Sequence, residues 1–179
     1  KINQLRSAQQ KDAECGCFAK YNALAIAELL DEGLPLSPVA IERLVLEMVE
    51  TAKVANWVDE ATVFLDLAEV LSDKQVFMLQ VTETPNSEGS HVRQAGSSFS
   101  ENAWPLEYFW RIAYDKDSAT QGYFIINLDN SHWVIVVALK EKGNLSPVYY
   151  YLDSNNCEIR NHDLARYLIP YFENPTSGR

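Results

Sequence analysis

Tyr123-Phe124-Ile125-Ile126-Asn127-Leu128-Asp129-Asn130-Ser131-His132-Trp133-Val134-Ile135-Val136-Val137-Ala138-Leu139 is the stretch from which the fold is read. Two runs rich in Val, Ile and aromatic residues flank Asp129-Asn130-Ser131. Such residues suit a pleated, buried surface, and Asp, Asn and Ser suit a tight turn. The reading is a β-hairpin of strands 123–128 and 132–139. Lys142-Gly143-Asn144 then predicts a second turn into a third strand, Val148 to Leu152, which gives an antiparallel meander.

Upstream of the meander, Val76 to Val81 is a short apolar run read as a buried strand. Thr82 to Ser100 is polar, rich in Ser and Thr, and read as a long loop that could gate a site. Leu106 to Tyr114 reads as a short helix. Further upstream the period changes to that of a helix. Phe18, Tyr21, Ala25 and Leu29 form a stripe in a helix from Cys15 to Asp31, stopped at Gly33. Ser37-Pro38 begins a second helix with a cap and a first-turn proline. A third starts near Asp59. A last helix is expected over about Asp163 to Phe172, kinked or shortened by Pro170. Helices first and strands later predict an α+β domain spanning 1–179, its helical part at about 15–72 and its sheet at about 75–179.

Composition narrows the function. The 179 residues are 47% hydrophobic and 22% charged, with 15 basic and 25 acidic side chains and a net charge of −10. A phosphate-backbone binder needs clustered Lys and Arg, so nucleic acid is excluded as a partner, whereas a basic protein partner suits this charge. No apolar run has the roughly 20 residues of a membrane span, and Lys1 to Gln10 lacks the apolar core of a signal peptide. Three cysteines, with Cys15 and Cys17 too close to bridge usefully, read as thiols in a reducing, cytoplasmic compartment. No second Cys or His pair stands at ligand spacing, and no phosphate loop or dinucleotide fingerprint is present. Neither a metal nor a cofactor is therefore expected.

The chemistry-bearing residues are few. Cys15 stands at the start of a helix, where the dipole favours a thiolate. Gly16 lets backbone approach a substrate closely. Gln9, six residues before Cys15, can donate an N–H to an oxyanion beside the backbone N–H of Cys15; Gln10 competes with it by one position. A thiolate wants a base, and the chain has three histidines. His132 stands at a strand start, a rigid platform. Asp153 ends the neighbouring strand and can orient the imidazole, with Asn155 and Asn156 as alternatives. Cys17 is the rival nucleophile. Cys157 reads as incidental, His91 as a solvated loop residue and His162 as a first-turn helix residue.

The segment Gln9 to Phe18, with Gln before Cys15-Gly16, resembles the corresponding motif of papain-like cysteine peptidases that process ubiquitin and its relatives. His132-Trp133 and Val148 to Ser154 resemble the His-Trp and Asp-Ser segments of SUMO-protease (Ulp-type) enzymes. The order Gln, Cys, His, Asp is instead that of papain and of Josephin-type deubiquitinases. The matched motifs cover only a small part of the chain. The resemblance implies a papain-like fold and cleavage of a peptide or isopeptide bond after the C-terminal Gly of ubiquitin or a ubiquitin-like protein. It implies that Cys15 attacks, His132 moves the proton, Asp153 orients His132, Gln9 lines the oxyanion hole, and Trp133 packs over the substrate's glycine tail. A bacterial effector acting in a host cytosol would carry the same residues. A leader peptidase, an acyltransferase or a glutamine deamidase could use the same triad. A leader peptidase normally carries Asp-Pro where this chain has Asp153-Ser154. An inactive module that binds a ubiquitin-like protein is the reading outside enzymology.

Overall fold

The computed structural model describes residues 1–9, 15–51, 60–95 and 106–174. The protein is α+β, and its frame is one six-stranded mixed sheet. The strands are β1 (Ile2–Arg6), β2 (Gln75–Val81), β3 (Val92–Ala95), β4 (Thr120–Leu128), β5 (His132–Lys140) and β6 (Val148–Asp153). Their order across the sheet is β1-β6-β5-β4-β2-β3. The expected meander is its centre, with β4–β5 and β5–β6 antiparallel. The sheet as a whole is not antiparallel as expected, because β1 pairs parallel with β6 and β2 parallel with β4. Two strands lie beyond the sequence pattern: β1, in the polar start of the chain, and β3, inside the polar segment 82–100 that the sequence predicts as a loop.

The turn at 129–131 forms for the expected reason. Asp129 (φ 48°) and Asn130 (φ 57°) take left-handed backbone, which their short polar side chains tolerate better than most. The Asn130 N–H also donates to Asn127 Oδ1 at 2.7 Å.

Helices cover both faces. Helix α1 (Cys15–Asp31), α2 (Pro38–Thr51) and α3 (Glu60–Val70) pack on one side, and α4 (Leu106–Ala113) and α5 (Leu168–Glu173) on the other. The consequence is visible along β5. Trp133, Ile135 and Val137 enter the first core, and Val134, Val136 and Ala138 the second. A strand buried on both faces reads as a continuous apolar run, as β5 does. Helix α1 ends at Gly33, whose φ of 69° places it in left-handed backbone; the Leu34 N–H then donates to the Leu29 carbonyl at 2.8 Å, closing the helix end. The last helix is broken. A 3₁₀ turn, Ala165–Tyr167, leads into α5, where Pro170 falls in the first turn and is tolerated. No helix among the described residues is long and apolar enough to cross a membrane.

Gly122 on β4 is required by packing. A Cβ there would lie 2.6 Å and 2.7 Å from the Phe109 ring. Phe109 is fully buried and clustered with Phe77, Trp110 and Phe124. Gly122→Ala is expected to cost about 1–3 kcal/mol by overpacking. Chemical denaturation checks this, and the double variant with Phe109→Leu should recover part of the loss.

Candidate active site

The C-terminal ends of β4 and β6 and the start of β5 lie at one end of the sheet. His132 is opposite Leu128, and the β5–β6 pairing begins only at Ile135–Leu152. His132 and Trp133 therefore project beyond the ladder with β6. The N-terminus of α1, which packs on β5, brings Cys15 to them.

Cys15, His132 and Asp153 are brought together. His132 is 8% exposed and Asp153 1%. The His132 Nε2–H donates to Asp153 Oδ1 at 2.6 Å. With Nε2 so engaged, Nδ1 is the nitrogen left for Cys15, to which His132 is also hydrogen-bonded. The carboxylate is held by its own turn: the Asn155 N–H donates to the same Oδ1 at 2.8 Å, and the Asn156 N–H to the Asp153 carbonyl at 2.8 Å. Asp153 thus both orients the base and caps the turn. Its Oδ2 and the Tyr151 hydroxyl are buried with no protein hydrogen-bond partner among the described residues.

The electrostatics favour a thiolate–imidazolium pair. Burial alone would raise the Cys15 thiol, but it is held below its ordinary value by the hydrogen bond from His132, the backbone N–H of Trp133, the His132 charge and the backbone N–H of Gly16. Burial alone would lower His132. Its hydrogen bonds to Asp153 and Cys15, and their negative charges, instead raise it to about 9. Each ion stabilises the other, so the pair titrates as a unit.

The other predicted residues fall around this centre. Gly16 and Trp133 meet each other: a Cβ on Gly16 would lie 3.3 Å from Trp133 Cδ1 and 3.4 Å from Val63 Cγ2. Trp133 is buried in the core beneath the site. Gln9 is exposed, and its Oε1 accepts from Asn156 Nδ2 at 3.5 Å, which turns its NH₂ group away from Asn156. Asn156, at φ 55°, also bonds the Ser7 backbone through both ends of its amide, at 2.9 Å and 3.0 Å. It staples the segment before Cys15 to the turn after Asp153. Asn155 and Asn156 thus brace the site, while the contact to the imidazole is made by Asp153. Gln10 lies outside the described residues.

The rival thiols are placed differently. Cys17 is buried in α1, about 200° round the helix from Cys15. Burial raises the Cys157 thiol, and the charges of Asp153, Glu158 and Asp163 raise it further. His91 is half-buried rather than solvated: its ring stacks on Tyr167 with centroids 3.7 Å apart, and Nδ1 donates to the Thr82 carbonyl at 3.0 Å. The sequence predicts His162 in the first turn of a helix; it lies instead between the 3₁₀ turns Ile159–Asn161 and Ala165–Tyr167, with its ring nearly parallel to that of His132, centroids 6.3 Å apart. No local pattern marks it, because the approach depends on the chain folding back after β6. Among the described residues no cluster of His, Cys, Asp or Glu could hold a metal ion. Comparison with protein-family models, with curated proteins and with solved structures finds no match for this chain.

Proposed function

We propose that this chain is a papain-like cysteine peptidase that cleaves the peptide or isopeptide bond after the C-terminal glycine of ubiquitin or a ubiquitin-like protein. The observation that carries the enzymatic part is the continuous chain of hydrogen bonds from Cys15 through His132 to the buried Asp153. The substrate part rests on the motif resemblance and on a net charge of −10, which suits a basic protein partner.

The Cys15 thiolate attacks the carbonyl carbon of the terminal glycine. The oxyanion that forms is stabilised by N–H donors at the start of α1, with the Gln9 amide as the side-chain donor. His132 gives its Nδ1 proton to the leaving amine as the C–N bond breaks, which leaves a thioester on Cys15. His132 then takes a proton from water, whose oxygen attacks the thioester. Expulsion of the Cys15 thiolate releases the product as a carboxylic acid, which ionises to solvent, and His132 is again protonated. Asp153 holds the ring so that Nδ1 faces the sulfur throughout.

A panel of ubiquitin-like proteins carrying a C-terminal electrophile, together with ubiquitin chains, tests this reading. At least one probe should label the protein at one site, and the cognate conjugate should be shortened. Unlabelled protein with intact conjugates, although Cys15 alkylates readily with a small reagent, would overturn the substrate. A mass gain on an uncleaved substrate would instead show acyl transfer or deamidation.

A further inference from the structure

The mechanism does not use His162, although its ring faces the base. His162 precedes the 3₁₀ turn Ala165–Tyr167 with extended backbone (φ −86°, ψ 132°). Its Nδ1 accepts the backbone N–H of Leu164 and of Ala165, both at 3.1 Å, which is how an N-cap side chain works. A nitrogen that accepts two N–H bonds carries no proton. The ring is therefore the neutral Nε2–H tautomer, and protonating Nδ1 would break both bonds.

The groups around this imidazole are His132 on β5, Asp153 on β6 and Asp163 beside it in sequence. Burial lowers its pKa, against the pull of Asp153; the His132 charge lowers it further, and Asp163 opposes. A second cation beside His132 would repel the imidazolium on which the Cys15 thiolate depends. A neutral ring covers the His132–Asp153 pair without that repulsion and keeps water from screening it.

We propose that His162 is a positioning residue, a tautomer-locked neutral imidazole that shields the His132–Asp153 pair and so sustains the thiolate–imidazolium couple. It rests on the assignment of that couple, not on the identity of the substrate.

The test separates the cap from the ring. Asn is among the best N-cap residues, so His162→Asn keeps the acceptor and removes the imidazole. The midpoint of thermal unfolding should not change. The acid limb of Cys15 alkylation by iodoacetamide, which reports the thiolate, should move up toward that of an ordinary cysteine. A rise of about half a pH unit in that limb makes alkylation roughly threefold slower along its slope. A folded His162→Asn protein with an unchanged profile overturns the inference. Should that variant fail to fold, ¹⁵N NMR of the wild-type imidazoles decides. At pH about 6.5, where half of an ordinary histidine is charged, His162 should stay mainly Nε2-protonated and neutral; a His162 that is half cationic there or higher overturns it. Alkylation needs no protein substrate. Wild-type Cys15 that lacks a lowered pKa would refute the couple, whereas normal wild-type behaviour with an indifferent His162→Asn refutes only the shield.

Discussion

Cys15→Ala is expected to abolish turnover, by about 10⁴-fold or more, and to end labelling by any electrophilic substrate probe. Cys17→Ala should leave both within a few-fold of the wild type. The contrast is what geometry and charge require. The Cys15 sulfur receives His132 and the backbone N–H groups of Gly16 and Trp133, and they hold its thiol below the ordinary value. Cys17, two residues on, points about 200° round α1 into the core. Its replacement by Ala leaves a cavity the size of a sulfur atom, and the effect should appear in stability rather than rate. The measurement is probe labelling followed by peptide mass mapping. Labelling that survives Cys15→Ala but not Cys17→Ala would reject the nucleophile assigned here.

The site was legible where chemistry and local pattern coincide. Gly33 after an apolar stripe marks the end of α1, and Ser37-Pro38 the start of α2; both boundaries appear in the structure. The hairpin around Asp129-Asn130 could be read because its strands are buried on both faces and its turn residues accept left-handed backbone. The sheet's parallel pairs could not. β1 (Ile2–Arg6) is an edge strand that pairs parallel with β6 across more than a hundred intervening residues, and its mostly exposed side chains read as polar coil. A partner that distant leaves no periodic trace in five residues. β3, four residues long with two exposed side chains, hides in a polar segment for the same reason. The sequence offers Asn156 as an alternative orienter of the base. Its role as a staple to Ser7 depends on the β1–β6 pairing that brings the two segments together.

His132→Ala is the second large effect, and its signature lies in the pH profile as much as in the rate. In the wild type the couple exists between two limits: the lowered thiol of Cys15 on the acid side and the His132 value of about 9 on the alkaline side. Below the first the sulfur is protonated; above the second the imidazole has lost the proton it must give to the leaving amine. Activity should therefore fall on both sides, with the alkaline limb at about 9 and the acid limb below the ordinary thiol value. Removing the imidazole takes away both the hydrogen bond and the charge that lower the thiol, while burial, which raises it, remains. The alkylation midpoint of Cys15 should rise to or above that of an ordinary cysteine, so that reactivity falls at every pH below that midpoint. Turnover loses the general acid as well, and is expected to drop by about 10³- to 10⁴-fold. The same linkage reaches stability. A histidine whose folded pKa is raised from 6.5 to about 9 contributes stability that is complete below 6.5 and lost as pH rises through 9. The wild type should thus lose stability over that interval relative to His132→Ala, by an amount discounted for any compensation within the pair. Unfolding midpoints at pH about 6 and 9.5 measure it. A His132→Ala protein whose Cys15 still alkylates with the wild-type pH profile would break the link between the two residues, and with it the assignment of His132 as the base.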